Sequence, residues 1–113
     1  MELVLLEQAK KDIEYWKKSG NQKVQKRISE LIDDTLQHPF EGKGKPEALK
    51  GILRGKWSRR ITKEHRMVYS VSDGFLYIYV FSLRYHYGYI YRSLRRSAHH
   101  LHKVLYPAVQ LRF

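Results

Sequence analysis

The chain has 113 residues, 42% of them apolar and 13% aromatic, which suits one globular domain and argues against disorder. Twenty-two Lys/Arg against eleven Asp/Glu give a net charge of +11, so the electrostatic expectation is a polyanionic partner such as RNA, DNA or anionic lipid. No cysteine is present, which excludes a disulfide framework and a thiolate zinc site, and the longest apolar run, near 75–81, falls far short of the roughly 20 residues that span a membrane.

The start, "MELVLLEQAKKD", lacks a basic segment followed by a long apolar one, so it reads as no secretion signal, and a soluble cytoplasmic protein is the expectation. "ELVLL" (2–6) reads as a short buried strand. From Glu7 the apolar positions become Ala9, Ile13 and Trp16, an amphipathic helix that stops near Ser19–Gly20. Asn21 can cap a second helix in which Val24, Ile28, Leu31, Ile32 and Thr35 follow the 3/4 spacing; Leu36 completes the stripe and Pro39 ends it. Next comes a polar loop, "PFEGKGKPEALKG" (39–51), with one helical turn expected at "PEAL". "KWSRRIT" (56–62), "RMVYSV" (66–71) and, after the turn signal "SDG", "FLYIYVFSLRYHY" read as three strands of an antiparallel meander. Helices covering one face of that meander give an α+β architecture.

The charge divides at Tyr87. Residues 1–87 hold every acid and a net +6, whereas residues 88–113 carry Arg92, Arg95, Arg96, Lys103 and Arg112 with no acid. In this tail Leu94, Ala98, Leu101 and Leu105 would line one face of a short amphipathic helix.

Cutting an RNA chain without a metal needs a base for the ribose 2′-hydroxyl, an acid for the departing 5′ oxygen, and cations for the charge that builds on phosphorus. Each role has a candidate. Glu47 lies in the loop where Lys43, Lys45 and Lys50 can hold phosphates. His86 is the residue type that titrates near neutrality. Arg60 and Arg66 flank a short hairpin turn that can bring two guanidiniums together. Alternation puts Arg84 and His86 on one strand face and Tyr85 and Tyr87 on the other, where rings can stack on unpaired bases. Singly, each has an ordinary structural reading as a solvated carboxylate, an exposed strand-end histidine or solvating arginines. His38 and His65 beside turns read the same way. "HHLH" (99–102) offers an i,i+3 pair of metal-ligand type without further ligands, so no metal and no cofactor is assigned. Trp16 and Trp57 read as core.

In combination, "PFEGKGKPEALKG", "WSRRITKEHRMVY" and "RYHY", in that order and spacing, closely resemble the YoeB-type toxins of the RelE superfamily. The resemblance spans residues 1–87, including the two helices and the "DDT" before the loop. It implies a compact α+β fold, with helices on a twisted antiparallel sheet, and a ribosome-dependent endoribonuclease that cleaves messenger RNA in the A site. It further implies a homodimer and a cognate YefM-like antitoxin. By position, Glu47 matches the family's general base, His86 its general acid and Arg66 the residue stabilising the transition state. Lys50 and Arg60 match supporting phosphate contacts, and Tyr87 the aromatic that orients RNA.

Two features depart from the family. The third strand is about two residues longer, which would advance His86 by roughly 7 Å unless a bulge absorbs the difference. The family normally ends at the last Tyr of "RYHY", whereas in this chain 26 residues follow. That tail reads as a sequence without a role, as an RNA- or ribosome-binding arm, or as a segment laid on the domain or on a neighbour. The rival to the nuclease is a non-catalytic basic module that blocks translation by occupying the ribosome.

Overall fold

The apolar run at the N-terminus forms strand β1 (Glu2–Leu5), buried from Leu3 to Leu5, with Leu3 and Leu5 in the core beneath the helices. The computed structural model describes residues 2–72, 77–83 and 104–106. Helix α1 (Glu7–Ser19) buries Ala9, Ile13 and Trp16; Glu7 in its first turn and Lys17 and Lys18 in its last oppose the helix dipole. Gly20 ends it in the left-handed conformation, at φ 71°. Helix α2 (Gln22–Gln37) starts where expected, with the Asn21 side chain accepting from the Val24 N–H at 3.1 Å. Its buried positions are Val24, Ile28, Leu31, Ile32 and Thr35, the stripe read from the spacing. Among the described residues no helix is long and apolar enough to cross a membrane.

The remaining strands are β2 (Glu47–Ala48), β3 (Trp57–Arg60), β4 (Arg66–Ser72), β5 (Tyr77–Ser82) and β6 (Val104–Tyr106), in the sheet order β2-β3-β4-β5-β1-β6. The meander β3-β4-β5 is antiparallel, as is β2 on β3. The two helices pack against it, so the α+β reading holds. β1 lies parallel to β5, with Leu3 opposite Ile78 and Leu5 opposite Val80. The sheet is therefore not antiparallel throughout. A parallel neighbour needs a long connection, and the helices and meander between β1 and β5 supply it.

Two local expectations are corrected. "PEAL" does not turn helically: Glu47 and Ala48 pair with Ser58 and Trp57 as a short strand, and a 3-10 turn forms later, at Gly51–Leu53. The open edge of β3 offers main-chain partners there, and pairing with it outweighs the helical turn. Leu105 does not belong to a helix; it sits in β6, opposite Val4. Val104 and Tyr106 beside it favour a strand, and the outer edge of β1 offers unpaired main-chain groups. The expected helix face at Leu94, Ala98 and Leu101 lies outside the described residues.

Candidate active site

Directly opposed residues of antiparallel strands point to the same side of a sheet, and so do residues two apart on one strand. Glu47 is opposite Ser58 and Arg60 is opposite Arg66. Ser58 and Arg60 are two apart on β3, so Glu47, Arg60 and Arg66 share one face. It is the face turned away from the helices, because the alternate positions Met67 and Tyr69 enter the helix-side core. Glu47 and Arg60 are exposed and Arg66 is half-buried, its guanidinium donating to the Thr62 carbonyl at 2.9 Å. Arg27 reaches from α2 to the Arg60 carbonyl at 3.2 Å and ties the end of β3 to the helix. Two arginines directly opposed repel each other, and an anion placed against them relieves that repulsion.

Lys43 and Lys45 precede β2 and Lys50 follows it; all three are exposed or half-exposed at the surface. The structure thus gathers Glu47, Arg60 and Arg66 on one face and sets the three lysines in the segments flanking Glu47. Arg84, His86 and Tyr87 lie outside the described residues. The chain leading to them is held firmly. Buried Asp12 accepts the Leu83 N–H at 3.0 Å, and the Trp16 indole donates to the Leu83 carbonyl at 3.1 Å. Both main-chain groups of Leu83, three residues before His86, are therefore fixed by α1. The pairing of β4 with β5 shifts between Val68 and Tyr69: Tyr69 faces Val80, whereas Val68 faces Ser82. One extra residue of β5 is taken up in this bulge, which shortens the advance expected of a longer strand by about 3.4 Å.

Under the site lies a group that the motif reading missed. Arg59 is fully buried on the helix side of β3. Its Nε donates to the Tyr69 hydroxyl at 3.2 Å, one terminal nitrogen to Asp34 at 2.6 Å and the Lys43 carbonyl at 3.1 Å, and the other to the carbonyls of His38 and Glu41. All five guanidinium N–H groups thus have acceptors. Asp34 also accepts the Lys43 N–H at 2.9 Å, and Tyr69 donates to the Pro39 carbonyl at 2.6 Å. Burial pushes the Tyr69 phenol above its usual range against the opposing pull of Arg59, so at neutral pH it remains an O–H donor. The loop from His38 to Lys45 is therefore folded around one buried cation. Its glycines allow the close approach. A Cβ on Gly42, at φ 109°, would lie 2.1 Å from an Asp34 oxygen, and one on Gly44, at φ 80°, 2.8 Å from Leu31 Cδ2. Lys45 follows at φ 50°, a conformation that costs a non-glycine residue about 1 kcal/mol, and turns the chain into Pro46 and β2.

Partial burial raises the Asp34 pKa, but the Lys43 N–H and the Arg59 guanidinium outweigh it and hold the carboxyl below its ordinary value. The stability this confers is complete above the unfolded carboxylate pKa of about 3.9 and is lost as pH falls through the lower folded value. Urea unfolding of the natural chain and of Asp34→Asn should therefore differ by a constant amount from pH 7 to about pH 5, and the difference should shrink in more acid solution. A difference independent of pH down to about pH 2 would contradict the ion pair.

Signals for this network exist in the sequence. Alternation in "WSRRI" puts Arg59 on the same face as Trp57 and Ile61, and a cation at a core position demands an acceptor. Asp34 lies three residues after Leu31 on the buried side of α2.

Comparison with known proteins places these observations in one family. The model of the "YoeB-like toxin of bacterial type II toxin-antitoxin system" matches residues 5–87. Toxin YoeB of Escherichia coli K12 is 52% identical over 87 residues, 77% of this chain and all of the relative. A YoeB/ParE toxin from Agrobacterium tumefaciens superposes with a TM-score of 0.73 at 42% identity, covering 77% of this chain and 100% of that one. The YoeB–YefM heterotetramer from Staphylococcus aureus contains a chain matching with a TM-score of 0.67 at 41% identity, covering 75% and 95%. With the matched segment carrying the helices, the loop, the meander and "RYHY", the chain belongs to the YoeB-like toxins of bacterial type II toxin–antitoxin systems.

Proposed function

We propose that this toxin is a ribosome-dependent, metal-independent endoribonuclease that cuts messenger RNA in the A site. The observation that carries the reading is the common face of Glu47, Arg60 and Arg66, a carboxylate beside two opposed guanidiniums. Glu47 takes the proton of the 2′-hydroxyl, whose oxygen attacks the adjacent phosphorus. Arg66 stabilises the charge on the phosphorane, with Arg60 and Lys50 contacting phosphate. His86 protonates the departing 5′ oxygen and Tyr87 orients the RNA, roles carried over from the family resemblance. Ser82 sits opposite Val68, a register position of the Glu47 face, and in the sequence Arg84 and His86 follow it at even offsets. Lys43, Lys45 and Arg84 supply further phosphate contacts.

The partners that accompany this reading are the ribosome with its message, a YefM-like antitoxin and a second copy of the chain in a homodimer. Residues 1–87 form the toxin domain, and residues 88–113 are a basic extension of it. In a cell-free translation reaction, mapping of message ends should show cuts within codons that depend on translation and persist in a chelator. Stalled ribosomes on intact messages would instead favour a toxin that acts by occupancy.

A further inference from the structure

The loop before β2 carries a second set of donors in its main chain. The carbonyls of Glu41 and Lys43 are drawn onto Arg59, and the Gly44 carbonyl accepts the Arg60 N–H at 2.7 Å. Among the described residues no peptide is cis, and in a trans peptide the N–H points opposite to the C=O. The N–H groups of Gly42, Gly44 and Lys45 are therefore directed away from Arg59 and β3. Among the described residues the N–H groups of Gly42 and Gly44 donate to no protein acceptor, whereas the Lys43 N–H between them is taken by Asp34 and the turn at Lys43–Gly44 brings the Lys45 N–H back toward the Gly42 carbonyl. Gly42 and Lys45 are exposed and Gly44 is half-buried. Two ammonium groups, on Lys43 and Lys45, belong to the same turn, and Glu47 follows two residues later. The loop's own side-chain acid, Glu41, is 4.0 Å from His38. Main-chain N–H groups turned outward beside cations make an anion-binding concavity.

We propose that the N–H groups of Gly42 and Gly44, together with the ammonium groups of Lys43 and Lys45, cradle phosphodiester oxygens of single-stranded RNA beside Glu47. Arg59 is the positioning residue of this cradle: by collecting the carbonyls inward it turns the donors out. The site deepens the reading of the Glu47 face as an RNA surface and rests on it. It adds main-chain contacts, which bind the phosphate whatever the base.

The test is amide NMR of the full chain at low salt, titrated with a hexanucleotide 2′-O-methylated at every ribose and, in parallel, with inorganic phosphate. The Gly42 and Gly44 amide signals should shift together and saturate with the oligonucleotide, while those of Gly20 and Gly55 stay in place. Inorganic phosphate should require at least about tenfold higher concentration, because it engages one subsite without neighbouring contacts. Lys45→Gly should keep the Gly42 and Gly44 shifts with weaker binding. Tyr69→Phe, which loosens the Arg59 network by one hydroxyl, should raise the apparent Kd about fivefold. Stationary loop amides, or shifts with inorganic phosphate alone, would overturn the cradle; an unchanged Kd in a folded Tyr69→Phe chain would overturn the role of Arg59. The oligonucleotide is never cut, so a negative titration leaves the cleavage chemistry standing, and an absence of cleavage leaves the cradle standing.

Discussion

Replacing Glu47 by Ala should lower the single-turnover rate of message cleavage on the ribosome by roughly two to four orders of magnitude, the usual contribution of a positioned general base. Glu47 is exposed on a two-residue strand, where its side chain adds little to the fold, so the urea midpoint of the variant should match that of the natural chain. That combination separates lost chemistry from lost structure. Arg66→Ala should cost about two to three orders of magnitude through the phosphorane charge it no longer meets. It should also cost a little stability, because the Thr62 carbonyl in the hairpin turn loses its donor. Arg66→Lys should recover only part of the rate, since an ammonium lacks the planar fork that engages two phosphate oxygens. Rates within about tenfold of the natural chain in both Glu47→Ala and Arg66→Ala would remove these residues from the mechanism.

The second large effect concerns stability. Arg59→Met removes the cation on which Asp34, the Tyr69 hydroxyl and three loop carbonyls converge, and leaves several of them buried without a donor. Breaking one partner of such a buried network costs about 3–5 kcal/mol, against a total of about 5–15 kcal/mol for a domain of this class. The thermal midpoint should fall by more than about 10 °C. Arg59→Lys should restore little, because three donors replace five and they cannot span the same acceptors. A loss under about 1 kcal/mol would show that the loop is held by other means, such as the Phe40–Trp57 ring contact at 4.9 Å.

Helix α2 is legible in the sequence because one physical rule suffices: five apolar or small positions at 3/4 spacing behind an asparagine cap can only bury one face. The meander is legible for the same reason, since alternation and turn residues act locally. The partners of strands are a different matter. The continuous apolar run in "ELVLL" marks a buried strand without choosing a neighbour, and β1 joins β5 in parallel because the intervening helices make that crossover long enough. At Leu105 the helical spacing competes with the open edge of β1, and the edge prevails. For the proposed site, residue types and order single out Glu47, Arg60 and Arg66 as candidates, and the register sets them on a common face. Arg59 escapes because its acceptors are mostly loop carbonyls, which carry no side-chain signal, and Asp12 because its partner is the Leu83 N–H, 71 positions away.

The most direct test of the central chemistry is a message bearing a single 2′-O-methyl ribose on the 5′ side of a mapped cut. If a carboxylate-activated 2′-hydroxyl attacks the phosphorus, cleavage at that linkage should cease, while neighbouring sites still yield a 5′-hydroxyl and a 2′,3′-cyclic phosphate or the 3′-phosphate from its hydrolysis. Undiminished cleavage at the methylated position would mean that another nucleophile attacks, and would contradict Glu47 as the base and His86 as the acid of a 2′-hydroxyl transesterification.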